Sequence, residues 1–211
     1  MLDPMAAPAA SPASPPFSPA DALRVLANEL RAEGPEVADR VADPTAEPVL
    51  GLLVAAGDRC AEAPGEYAAV VESIREGYLL HYGEPRLLLS DDRDLRLLVG
   101  DHLYARGIER LVGLDDLLAV HELSDLISLS AQLDVAATDT ADESAILWVA
   151  CCVAIAVGPG DSHERDKAVL RESGDAGPLL LGARRSAEQA GLSGALDGAF
   201  KAVGSPPADR G

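Results

Sequence analysis

The sequence predicts an all-α protein, an antiparallel bundle of helices joined by short connections, and three observations carry that expectation. Hydrophobic residues make up 48% of the 211-residue chain but aromatic residues only 3%, so the apolar mass is Leu, Ala and Val, with Trp148 the single tryptophan. Ala and Leu, the two commonest residues of the chain, stand with Arg and Glu at the favourable end of the helix scale. No run of alternating β-branched and aromatic residues reads as a strand.

Residues 1–18 are rich in Pro, Ala and Ser and offer too little apolar surface to offset ordering entropy, which predicts a disordered tail ahead of one helical domain over 19–203. Ser18-Pro19 supplies a cap and a first-turn proline for a helix reaching Arg31. Pro35, Pro44 and Pro48 punctuate the next stretch, and a helix is expected over about 46–61. After Pro64-Gly65 a helix over 66–82 carries Val70, Ile74, Tyr78 and Leu80 at three- and four-residue intervals, the stripe of a packed helix.

Gly83 and Pro85 end that helix, and Ser90 is the expected cap of the next, over 91–111, with Asp91, Asp92 and Asp94 in its first turn against the positive end of the macrodipole. Gly113 closes it, and Asp115-Asp116 opens a helix with Leu118, His121, Leu123, Ile127 and Leu129 on its apolar face. Further helices are expected over 140–157, 162–172, 177–190 and 192–203, with a loose end over 204–211. The run Ala145–Val157 is the most hydrophobic of the chain but is shorter than the roughly 20 residues a membrane span needs, so it reads as a central core helix.

Formal net charge is −18, from 35 acidic and 17 basic residues, with Lys167 and Lys201 the only lysines. Such a field opposes binding to nucleic acid or to an anionic membrane surface and favours solubility. Cys60, Cys151 and Cys152 lack metal-ligand spacing and read as buried reduced thiols, which suits a cytoplasmic protein. The N-terminus has neither the basic start nor the apolar run of a signal peptide. His81, His102 and His121 are dispersed, Ser124, Ser128 and Ser130 belong to no nucleophile elbow, no phosphate-binding glycine loop occurs, and Arg184-Arg185 reads as a solvated face.

Gly100-Asp101 breaks this pattern, because both residues are poor helix formers inside a predicted helix. Glycine there removes a side chain so that another backbone can approach. The segment "LLVGDHLYARG", followed by a further helix and then by "TADESAILWVACCVAIAVG", resembles the trans-type polyprenyl diphosphate synthases over residues 66–175. Members of that family carry an apolar-Gly-Asp-aromatic-Leu segment after a first aspartate-rich motif, and a Lys-Thr-Ala segment that opens a small-residue core helix. Here Thr140-Ala141 matches the latter, with Asp139 in the place of lysine.

The resemblance implies a truncated bundle of the isoprenoid-synthase type. In that family two Asp-Asp-x-x-Asp motifs hold Mg²⁺ against a leaving diphosphate. At the first motif's position stands "ESIRE", where Glu72 and Glu76 share one helix face but Ser73 replaces the second acid. The Arg-Arg-Gly that normally follows is reduced to Pro85-Arg86, and after residue 160 Asp175 stands alone where a second motif would be. The expected function is therefore that of a catalytically degenerate family member, a partner or regulatory subunit or a binder of an isoprenoid-like chain. No catalytic residue and no metal ligand is assigned. The candidate ligand-binding residues are Glu72, Arg75, Glu76 and Asp101, with a solvated acidic face as the plainer account of the two glutamates. A prenyl synthase subunit or a second copy of the chain is the expected partner. Two alternatives stay open: an active Mg²⁺-dependent prenyltransferase using Glu72 and Glu76, the only case calling for Mg²⁺, and a helical scaffold unrelated to isoprenoids.

Overall fold

Ten α-helices and no strands make up the described residues, 16–136 and 141–204, of the computed structural model. The predicted tail and loose end fall largely outside these residues. Phe17, within the predicted tail, packs against Ala22, Ala68 and Ala69. Ser18 caps a 3₁₀ turn, Pro19–Asp21, by accepting from the Ala20 N–H, and α1 (Ala22–Ala32) follows, so the capped start read from the sequence holds. A short helix, α2 (Pro35–Ala38), comes next.

α3 (Val49–Ala55) is shorter than the predicted 46–61 helix. It begins only after Pro48 and gives way at Gly57 to a 3₁₀ turn, Asp58–Cys60. Packing enforces the break: a Cβ on Gly57 would stand 2.2 Å from the Ala156 carbonyl oxygen, so the chain abuts the central helix where only glycine fits. α4 (Pro64–Tyr82) runs from a first-turn proline to Gly83.

α5 (Arg93–Gly113) is capped by Asp92, whose carboxylate accepts from the Asp94 and Leu95 N–H groups. Ser90 instead accepts from the Asp92 N–H, one step before the helix, so the predicted cap moves by two residues. The aspartate cluster is thus cap chemistry, as its position in the first turn implied.

Gly100 sits at a close helix–helix approach: a Cβ there would meet His81 Nε2 at 2.6 Å and the Gly77 carbonyl oxygen at 3.2 Å. Gly77 returns the approach against Tyr104, and Gly107 against Ile74. Three glycines therefore bring α4 and α5 together along their length. Arg110 of α5 ties the pair to α1 through ion pairs to Glu66 and Glu29.

α6 (Leu117–Ala136) starts with Asp116 accepting from the Ala119 N–H. α7 (Ala141–Val157) is buried at every residue from Ala145 to Ala156, as a core helix hydrophobic all round must be. The main core assembles on it, with α3, α4, α6 and the last helices α8 (His163–Ser173), α9 (Gly177–Gln189) and α10 (Ser193–Val203) contributing. A smaller core joins α1 to Leu87, Leu88, Val99 and Leu103. No helix among the described residues is long and apolar enough to cross a membrane.

Candidate functional site

Glu72, Arg75 and Glu76 lie on successive turns of α4, but the glutamates do not form a solvated face. Both are 0% exposed. Buried carboxylates are costly unless paired and hydrogen-bonded, and the chain supplies both conditions through residues distant in sequence. Arg86, in the connection after α4, turns back over the helix. Its Nε donates to Glu76 Oε2 at 2.9 Å and its Nη1 to Glu72 Oε2 at 2.7 Å. The backbone N–H groups of Arg86 and Leu87 donate to Glu76 Oε1 at 2.7 and 2.8 Å.

The remaining oxygen, Glu72 Oε1, accepts from the Gly51 N–H at 2.8 Å. Gly51 stands in the first turn of α3, where backbone N–H groups have no partner within the helix, so Glu72 satisfies from α4 what α3 cannot satisfy itself. The reach requires close packing: a Cβ on Gly51 would stand 3.0 Å from the Ala68 carbonyl oxygen. Burial pulls the Arg86 guanidinium pKa down, but the Glu72 and Glu76 charges outweigh it and hold it above its ordinary value. All four carboxylate oxygens of the pair are therefore engaged within the chain.

Arg75 is arranged differently. Its guanidinium lies over the Trp148 ring, 4.7 Å from the centroid, and over Tyr78 at 5.1 Å. It makes no hydrogen bond or ion pair among the described residues. Burial and the neighbouring Arg86 charge both lower its pKa. Tyr78 meets Trp148 edge-on at 5.3 Å and donates to Asp134 at 3.3 Å. Glu72, Arg75 and Arg86 line a cleft of about 340 Å³ whose other walls include Val49, Leu50, Leu79 and Val203.

The fourth predicted residue, Asp101, is not gathered into this cleft. It is exposed on α5 and faces His81 Nε2 at 3.2 Å, while the His81 ring stacks on Tyr104 with the planes 9° apart. Of the four candidates, then, three share a site and one serves the α4–α5 contact.

A second buried charge cluster was not legible as such. Lys167 is 1% exposed and its ammonium stands 3.3 Å from Glu122 Oε1, 2.7 Å from Asp125 and 2.8 Å from Glu164. His163 Nε2 lies 2.9 Å from Glu122 Oε2. Glu122, Cys151 and His163 are close enough together to suggest a metal trio. Burial, however, pushes the Cys151 thiol well above its usual range, and the Lys167 ammonium supplies the positive charge that Glu122 needs. The signal available was the placement of one of only two lysines at a three-residue interval from Glu164 on a helix with buried neighbours.

Comparisons with protein-family models, with curated proteins and with solved structures find no match for the chain.

Proposed function

We propose that this protein is a non-catalytic, isoprenoid-synthase-like binding protein that takes an isoprenoid-like chain into the cleft beside α4. The observation that carries this reading is the engagement of Glu72 and Glu76 by Arg86, Leu87 and Gly51. A carboxylate clamp that assists ionisation of an allylic diphosphate needs oxygens free to take up Mg²⁺. Here the same oxygens hold the α3 start, the α4–α5 connection and an arginine. What remains at the position is a cleft with apolar walls and both arginines and glutamates on its lining, which suits retention of a chain and not its chemistry.

The purified protein with Mg²⁺ and allylic plus homoallylic diphosphates is expected to give no chain elongation above background, and to bind farnesol or a farnesyl derivative saturably. Elongation that disappears in Glu72→Gln with Glu76→Gln would overturn the reading in favour of an active prenyltransferase.

A second reading, a subunit of a prenyl synthase or of a homodimer, is favoured by the exposed apolar residues Leu98, Ala105 and Val112, spaced seven apart on α5, together with Leu117 at the start of α6. Sedimentation of the protein alone and mixed with a full-length polyprenyl synthase tests it. A monomeric boundary for the protein alone, and in the mixture the same boundary beside an unshifted one for the synthase, would reject it.

A further inference from the structure

Once Arg86 has taken up the carboxylate oxygens of Glu72 and Glu76, the guanidinium of Arg75 has no hydrogen-bond partner among the described residues. We propose that Arg75 and the cleft it lines bind the head of a monoanionic amphiphile, a carboxylate, through the guanidinium directly and without a divalent metal. The inference deepens the binding reading above and rests on it for the apolar chain, but not for the head group.

Arg75 is held by its faces and not by its edge. Trp148 and Tyr78 supply π surfaces to the guanidinium. Its five N–H donors have no protein acceptor among the described residues, although an arginine remains charged and its fork matches a carboxylate. The nearby acids are occupied: Glu72 by Gly51 and Arg86, Glu76 by Arg86 and Leu87, and Asp134 by the Tyr78 hydroxyl. The donors of Arg75 therefore stand ready for an acceptor brought from outside.

Charge sets the class of that acceptor. Arg75 and Arg86 balance Glu72 and Glu76, so the buried set is neutral before a ligand enters, and a monoanion unbalances it by one charge where a diphosphate unbalances it by more. Glu47 and Glu84, exposed at the mouth of the cleft, and the net charge of −18 oppose a polyanion such as a diphosphate. The walls set the rest of the ligand: Val49, Leu50, Leu79 and Val203 offer apolar contact to a chain, in a volume of about 340 Å³.

Trp148 makes the test direct, because it is the single tryptophan and lies under the Arg75 guanidinium. The full-length protein is titrated with farnesoate, farnesol and farnesyl diphosphate, which share a chain and differ in the head, in EDTA and then in Mg²⁺. Trp148 emission and calorimetric heat are followed together. Farnesoate is expected to bind saturably, equally in EDTA and Mg²⁺, and about tenfold or more tightly than either companion. Arg75→Gln is expected to lose about that factor for farnesoate and nothing for farnesol, with Arg75→Lys between. Should Arg75→Gln melt early, Val203→Glu, which sets a like charge in the cleft wall, is expected to abolish farnesoate binding. Farnesol binding as tightly as farnesoate would overturn the head-group assignment and leave the chain-binding reading standing. A Mg²⁺-dependent preference for the diphosphate would overturn the metal-free mode, and no binding of any of the three would overturn both readings.

Discussion

Glu76 and Arg86 stand ten residues apart in sequence, and the carboxylate takes three hydrogen bonds from the Arg86–Leu87 segment: one from the Arg86 Nε and two from backbone N–H groups. One buried side chain thus fixes both the charge and the path of the connection between α4 and α5. Removing the arginine takes away the counter-charge of two buried acids. Arg86→Met is expected to destabilise the protein by about 3–5 kcal/mol in urea unfolding. Adding Glu72→Gln and Glu76→Gln to it is expected to recover part of that loss. A single variant with an unchanged unfolding midpoint would show the pair to be dispensable.

The glycines predict a ranking. At Gly100 an added Cβ meets the tip of the His81 ring and, less closely, the Gly77 carbonyl, whereas at Gly57 it meets the Ala156 backbone at 2.2 Å. A ring tip yields more readily than a core-helix carbonyl. Gly100→Leu is expected to cost about 1–3 kcal/mol by overpacking, Gly100→Ala less, and Gly57→Ala more than Gly100→Ala. Thermal melts of the three variants check the order, and Gly57→Ala melting with the wild type would refute the contact.

Acid lowers stability through three carboxylates. Burial raises the pKa of Glu122, but His163 and Lys167 outweigh it and hold the group below its ordinary 4.5. Burial likewise raises Asp125 and Asp116, and Lys167 for the first, the Ala119 N–H, Tyr67 and Arg59 for the second, bring each below 3.8. A depressed folded-state pKa gives stability that is present above the unfolded value and is lost as pH falls through the folded one. Urea midpoints are therefore expected to decline below about pH 4.5. Glu122→Gln is expected to flatten that decline while lowering stability at neutral pH. An acid limb of undiminished slope in the variant would contradict the assignment.

Thiol chemistry gives a third kind of readout. Cys60, Cys151 and Cys152 are free and buried, and burial pushes the Cys60 thiol up to about 12. A disulfide reagent at pH 8 is expected to find little or no thiolate in the native protein and three thiols per chain after unfolding. Rapid native reaction would show the core around α7 to open readily.

Features that depend on neighbours along the chain were legible before the fold was known. The Ser18-Pro19 start, the all-round burial of α7 and the close approach at Gly100 all follow from caps, periodicity and residue size within one turn or two, while Pro64-Gly65, read as the break before a helix over 66–82, is the first turn of α4 itself. Even the local errors were small: the cap of α5 is Asp92 and not Ser90, because the aspartate reaches two N–H groups of the first turn while the serine serves the residue before it. The partners of the buried charges came from packing between distant segments. Glu72 and Glu76 sit on α4 among Val70, Val71, Ile74 and Tyr78, a surrounding that hints at burial, but what makes their burial tolerable is Arg86 and the Gly51 N–H, from segments 14 and 21 residues away from Glu72. Lys167 finds Glu122 across 45 residues. A helix face is written in the spacing of its own residues. The partner of a buried charge is written in the packing of several helices at once, so no local pattern distinguishes an acid that awaits a metal from one already satisfied by an arginine.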